Sequence, residues 1–301
     1  MLIKNSIPKG TILLVSVTLN GNINLHYKDY VMEITNYLTD SELTAVRHLK
    51  EARALVIDEQ TINLVLYVNY HVHSEYSILD GLSKLPELAK KSSGITALTD
   101  HGNMHGMVKW QNAMKKEGKK AIFGCEVYTN SIDGTPAAYH LLLLAKDEVG
   151  KHNLFSLVSN AYYNFYKKPQ ITYEELANHS QGLICTSACI GGEVSQKLLE
   201  GDYRGAKEVA EKFQEIFNDD FYLEIQRHHI EEEDKVNPLL LQLANECNIK
   251  LVAGNDSHYV SKKDSDIHEI LLCISTKKKL SEEHWSFKGD GYHFMSDIEM
   301  I

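Results

Sequence analysis

Tyr70-His71-Val72-His73-Ser74-Glu75-Tyr76-Ser77-Ile78-Leu79-Asp80 opens a stretch that continues through Thr99-Asp100-His101-Gly102-Asn103 and closes on Gly124-Cys125-Glu126. An apolar, β-prone run leads into each cluster: Leu64–Val68, Ile95–Leu98 and Ala121–Phe123. Residues two apart on a strand share a face, so His71 and His73 point the same way with Val72 turned behind them. Imidazoles and carboxylates recurring at strand ends suit a site for zinc, manganese or iron.

Downstream the alternation becomes regular. Apolar, β-rich runs are predicted at Tyr67–Val72, Ile95–Thr99, Ala121–Tyr128, Tyr139–Ala145, Gly182–Ser187, Phe221–Gln226 and Lys250–Ala253. Between most of them lie segments with helical spacing of apolar residues: Leu82–Lys91, Met104–Lys116, Val149–Tyr166, Tyr203–Phe217 and Lys235–Asn248. Strand–helix alternation predicts a mainly parallel sheet with right-handed crossovers. Functional residues gathered at the C-terminal strand ends favour a barrel, whose loops converge on one mouth. His140 stands at the start of the fourth strand and Cys189 follows the fifth. The last strand runs into Asp256 and His258, a second pair two apart, which barrel closure would set beside His71 and His73.

With 43% hydrophobic and 24% charged residues among 301, the chain reads as an ordinary globular protein. No apolar run approaches the length of about 18 residues that a spanning helix needs. Met1-Leu2-Ile3-Lys4 does not open a signal peptide, so the expected location is cytoplasmic, with no membrane partner. Five scattered cysteines make no disulfide framework, and Cys185 and Cys189 lack a second pair for a zinc module. A net charge of −10 argues against a non-specific nucleic-acid coat but leaves DNA open as a substrate, since bound metal reverses the local sign.

Residues 1–66 read as a separate extension to a domain at 67–301. Thr11–Leu19, Asn20-Gly21-Asn22 and Ile23–Tyr27 predict a hairpin, Asp40–Leu55 a helix and Thr61–Val68 a strand. No ligand constellation occurs there, and His26 and His48 read as surface residues.

The motifs His71-Val-His-Ser-Glu-Tyr-Ser-Ile-Leu-Asp-Gly, Leu98-Thr-Asp-His-Gly-Asn-Met, Gly124-Cys-Glu-Val-Tyr and Asn255-Asp-Ser-His-Tyr resemble the polymerase-and-histidinol-phosphatase (PHP) domain. They are most similar to the copy at the N-terminus of bacterial DNA polymerase III α subunits. The resemblance implies an α/β fold, a distorted seven-strand (β/α) barrel with up to three metal ions. The expected cofactors are therefore two or three divalent ions, zinc, manganese or iron. It also implies the ligand set His71, His73, Asp80, His101, Glu126, His140, Cys189, Asp256 and His258, with Cys189 where the phosphatase branch has histidine. Two departures stand out. The first 66 residues do not match the usual start of that subunit. The chain also ends where the polymerase palm would begin, and Asp264-Ser265-Asp266 reads as a solvated face, so this polypeptide alone is not expected to polymerise DNA.

A multi-metal cluster suits phosphoester hydrolysis, activating water and neutralising phosphate charge. Asp100 is expected to orient a ligand from behind, and Arg227 and His228 to contact the scissile phosphate or supply a proton. Lys115–Lys120, Lys167–Lys168 and Lys277–Lys279 are candidate guides for a DNA strand, although such runs more often form solvated faces. The leading expectation is a 3′–5′ exonuclease acting on single-stranded DNA 3′ ends, partnered by the other polymerase III α domains or replisome subunits. The alternatives are a histidinol-phosphatase-type phosphoesterase and a structural module that binds metal without turnover.

Overall fold

The computed structural model describes strand backbones at 12–17, 23–27, 30–33, 53–57 and 62–65, and residues 67–296 and 299–300. It divides into two compact units, Met1–Val68 with Met295–Ile301, and Asn69–Phe294.

In the first unit, β1 (Ile12–Val17), β2 (Ile23–Tyr27), β3 (Tyr30–Glu33), β4 (Arg53–Ile57) and β5 (Ile62–Val65) form an antiparallel sheet in the order β3-β2-β1-β4-β5. The expected hairpin pairs Val17 with Ile23 and Leu14 with His26. Arg53–Leu55, expected to finish a helix, belong instead to β4, where Ala54-Leu55-Val56-Ile57 makes a continuous apolar run. The rest of that helix and the Asn20–Asn22 turn lie outside the described residues.

The second unit is organised on β7 (Lys120–Thr129), which follows α1 (Leu85–Lys91), β6 (Ile95–Leu98) and α2 (Met107–Lys116). Its first half pairs parallel with β6, from Ile95↔Lys120 to Leu98↔Phe123. Its second half pairs antiparallel with β8 (Tyr139–Ala145), from Gly124↔Leu144 to Thr129↔Tyr139. Next come α3 (Glu148–Ala161), β9 (Phe165–Tyr166), β10 (Lys168–Ile171), α4 (Tyr173–Asn178), β11 (Leu183–Thr186), α5 (Glu193–Leu199) and α6 (Tyr203–Phe217). β12 (Phe221–Ile225), α7 (Glu231–Cys247), β13 (Lys250–Ala253) and α8 (Ser265–Thr276) complete the unit.

The barrel is mixed rather than mainly parallel, because β8 runs antiparallel to both β7 and β11. No helix separates β7 from β8, and a short return can only reverse the strand direction. The other crossovers behave as expected, with β11, β12 and β13 parallel. α3 stops at Ala161, short of the Tyr166 expected, because Phe165 and Tyr166 turn into a strand against β10.

The expected first strand, Tyr67–Val72, is not a regular strand. Its backbone still closes the ring. On one side, Ala97 N donates to Asn69 O and Thr99 N to Val72 O, both at 2.9 Å. On the other, His73 N donates to Ser257 O at 2.8 Å and Ser257 N to His71 O at 3.1 Å. Thr99 Oγ1 supplies what the ladder lacks, accepting from Val72 N at 2.7 Å and donating to Val72 O at 3.1 Å.

The helices cover the sheet as their periodicity requires. α6 buries Ala206, Val209, Ala210, Phe213, Ile216 and Phe217, one stripe at 3.6-residue spacing. Asp202 caps it through Gly205 N, and Asp147 caps α3 through Gly150 N, each at 2.8 Å. Gly150 packs so closely on Gly182 that a Cβ would lie 1.7 Å from the Gly182 carbonyl oxygen. A second apolar cluster gathers Leu85, Leu88, Trp110, Met114 and Phe294 under α1 and α2. Among the described residues no helix is long and apolar enough to cross a membrane.

Candidate metal centre

The sequence-predicted ligand residues converge on one mouth of this ring. His71 and His73 come from the closing segment, Asp80 from the loop after it, and His101 from just beyond β6. Glu126 lies within β7, where a parallel bridge joins it to His101, and His140 opens β8. Cys189 follows β11, and Asp256 and His258 follow β13. Asp256 adopts φ 45°, a left-handed conformation that aspartate tolerates better than most residues.

Three groups of donors result, the first two sharing His73: His73, His101 and His258; His71, His73 and Asp256; and Glu126, His140 and Cys189. Within each, the ligand atoms lie within 4.8 Å of one another. Asp80 joins the first through Oδ2, 3.1 Å from His101 Nε2. Glu126 stands between groups. Its Oε2 is 2.5 Å from His101 Nδ1, while Oε1 is 2.8 Å from His140 Nδ1 and 3.4 Å from His71 Nε2. Asp256 Oδ1 lies 3.3 Å from His71 Nε2 and 3.1 Å from His73 Nε2. Cys189 Sγ is 3.5 Å from His140 Nδ1.

The residues fit a cation. His71 Nε2, His73 Nε2, Asp80 Oδ1 and Asp256 Oδ1 are buried yet lack a hydrogen-bond partner, a costly arrangement unless something else binds them. The outer imidazole nitrogens, in contrast, are engaged. His71 Nδ1 meets Glu224 Oε1 at 2.8 Å, and His258 Nδ1 meets the Asp256 carbonyl at 2.9 Å. His73 Nδ1 meets Ser77 Oγ at 3.0 Å. Oxygen acceptors at Nδ1 place the proton there and leave the Nε2 lone pairs facing inward.

Electrostatics agree with this density of donors. Burial works against ionisation of Glu126, yet His140 and His101 hold its carboxyl well below the usual range. His71 and His258 do the same for Asp256. Burial would lower His101, but Glu126 and Asp80 raise it to about 10. Burial and the neighbouring His101 and His258 lower His73 to about 3. Burial, then the Glu126 charge, pushes the Cys189 thiol well up, so a thiolate there needs a nearby cation.

The three residues expected to do catalytic work are placed differently. Asp100 is buried behind the ligands, accepting from Ser74 N at 2.7 Å and Ser77 Oγ at 2.8 Å. Ser77 Oγ also accepts from His101 N at 3.1 Å, so Asp100 acts on His73 and His101 through a hydroxyl. His228 lines the cavity at the mouth, but both ring nitrogens are taken: Nδ1 by Glu233 at 2.6 Å and Nε2 by the Asn255 carbonyl at 2.8 Å. Arg227 is exposed and does not reach the cavity. Lys119, within the Lys-rich 115–120 run, is committed elsewhere, donating to the Ala89 and Lys90 carbonyls. Asp264, in the suspected solvated face, closes a capping box with Ser261.

Sequence reading missed Glu224 and Gln226. Both are buried, and Gln226 Nε2 donates to Glu224 Oε1 at 2.7 Å. A glutamate on an apolar strand was the available signal, since such a residue is almost never fully buried unpaired.

Residues 69–228 match the family described as the PHP domain. The chain belongs to the PHP-domain family. It is 43% identical over 249 residues to the DNA polymerase III subunit alpha of Treponema pallidum, covering 78% of this chain and 21% of that protein. The corresponding protein of Borreliella burgdorferi is 41% identical over 248 residues, covering 78% of this chain and 22% of its own length. The chain thus spans about a fifth of the length of these curated relatives. An amidohydrolase structure from Chromobacterium violaceum is a weaker likeness, with TM-score 0.39 and 16% identity over 64% of this chain and 88% of that one. Within this PHP domain the matched span carries His71 through Cys189 and ends at His228, so Asp256 and His258 join the centre from beyond it.

Proposed function

We propose that this PHP domain is part of a replicative DNA polymerase III alpha subunit and hydrolyses phosphodiesters at DNA 3′ ends. The proposed ligands of its two or three divalent ions, zinc, manganese or iron, are His71, His73, Asp80, His101, Glu126, His140, Cys189, Asp256 and His258. The observation that carries this reading is Glu126, whose two oxygens face different donor groups, Oε2 toward His101 and Oε1 toward His140. Divalent ions held there would supply activation of water at neutral pH and neutralisation of phosphate charge.

The chain's own residues do the positioning. Glu224 and Ser77 orient His71 and His73, and Asp100 holds Ser77. The partners proposed are a single-stranded DNA 3′ end and the remaining polymerase domains or other replisome subunits.

The test supplies the purified chain with manganese or zinc, measures bound metal, and follows nucleotide release from 5′-labelled oligonucleotides. Release from the 3′ end that EDTA abolishes, and that Asp256→Asn lowers by orders of magnitude, is the expected result. A metal-replete parent inactive on every DNA end and on phosphate monoesters would overturn it and leave a structural module. Preference for histidinol phosphate over DNA would move the domain to the small-molecule branch.

A further inference from the structure

The cavity beside the donors has a second wall that phosphate chemistry does not explain. Its volume is about 400 Å³, within the range of about 300–1,000 Å³ that encloses a small organic ligand. Asp80, His101, His140 and His258 line it together with the apolar and aromatic Ile190, Ile230, Trp285, Phe287 and Tyr292. An inorganic phosphate would leave those apolar side chains in water.

The aromatic side begins at a candidate ligand. Phe287 stands edge-on to the His258 ring at 4.7 Å, and Trp285 stands edge-on to Phe287 at 5.2 Å. The row therefore leads from the donor cluster to the cavity rim in two ring contacts. Trp285 remains 57% exposed, which is unusual for the largest apolar side chain and leaves a broad face available.

The segment that carries the two rings is anchored at both ends. His284 Nε2 meets Glu269 Oε1 on α8 at 2.5 Å. Lys288 Nζ donates to Glu232 Oε1 at 2.9 Å, and Asp290 N donates to the His228 carbonyl at 2.9 Å. Gly289 holds φ 75° against the same carbonyl, where a Cβ would lie 1.9 Å from the oxygen. A platform ordered before its ligand arrives loses less entropy on binding.

We infer that Trp285, backed by Phe287, is the stacking surface for the terminal nucleobase of a substrate whose phosphate sits at the donor cluster. This rests on the phosphodiesterase reading and names the part of the substrate that this wall recognises. Every base has a π face, so the wall accepts all four bases with little preference. It discriminates instead against phosphate esters that lack an aromatic group.

The test uses the full chain with manganese and two probes with the same phosphate, thymidine 5′-monophosphate and deoxyribose 5-phosphate. Trp285 is one of two tryptophans, and the other, Trp110, is fully buried, so quenching by a stacked base reports on Trp285. Thymidine 5′-monophosphate should quench the fluorescence and deoxyribose 5-phosphate should not. By calorimetry, Trp285→Ala should weaken the nucleotide about tenfold and leave the sugar phosphate unchanged, with Trp285→Phe restoring most of the loss. Equal affinity of the two probes, or equal loss of both in Trp285→Ala, would overturn the assignment. The two readings fail separately. Base-dependent binding without DNA cleavage retains the stacking wall and removes the nuclease. Cleavage whose KM is the same in parent and Trp285→Ala retains the nuclease and removes the wall.

Discussion

Nδ1 of His71 lies 2.8 Å from Oε1 of Glu224, across 153 residues of sequence, and both residues are fully or almost fully buried. The contact sets the imidazole's orientation and its tautomer, turning Nε2 toward Asp256 and Glu126. A carboxylate behind a metal-binding histidine also raises the basicity of the ligand.

Glu224→Gln keeps the shape and removes the charge that holds the His71 proton. Metal affinity should fall about 10–100-fold while the far-ultraviolet dichroism stays that of the parent. Titration with a fluorescent zinc competitor measures it. Unchanged affinity would reduce Glu224 to a packing role.

Ser77→Ala removes an oxygen that accepts from His73 and His101 N and donates to Asp100. It leaves a buried carboxylate short of a donor, so urea denaturation should register a loss of about 1–3 kcal/mol. Metal content should fall as well, because His73 is free to turn. A stability loss with full metal occupancy would confine Ser77 to the fold.

Cys189→Ala should lower the metal bound per chain, while Cys247→Ala and Cys273→Ala should not. Cys189 is the cysteine whose sulfur lies within the Glu126 and His140 group. Elemental analysis of the three variants decides, and equal metal in all of them would return Cys189 to the structural cysteines.

His228 and Glu233 predict a pH-dependent stability term. Burial would lower the His228 pKa, but the hydrogen bond and charge of Glu233 raise it above the ordinary value. A group with a raised folded pKa contributes its full stability below the unfolded value, about 6.5, and loses it as pH climbs through the folded one. The gap in unfolding free energy between parent and Glu233→Gln should therefore be widest near pH 5.5 and narrow at alkaline pH. Some gap should persist, because Glu233 Oε2 also accepts from the His228 backbone N–H. A gap that widens with pH would contradict the assignment.

The sequence alone determined which residues could form the centre. Metal chemistry needs particular donor types, and a spacing of two in the sequence singled out His71 with His73 and Asp256 with His258. Helix spacing was equally legible where a single apolar stripe ran unbroken, as in Tyr203–Phe217. Period two also held a message that went unread: from Glu224 it carries Gln226 and His228 inward and turns Arg227 out to solvent.

Tertiary structure alone decided the rest. The closing segment keeps its place in the ring without a regular ladder, because the Thr99 hydroxyl replaces backbone partners that local propensity cannot foresee. The direction of β8 follows from a connection with no helix to carry the chain back. The pairing of His71 with Glu224 required barrel closure, since alternation specifies the face of a side chain but not which distant residue meets it there. His228 shows the same limit, because only packing revealed that Glu233 and the Asn255 carbonyl occupy both its nitrogens.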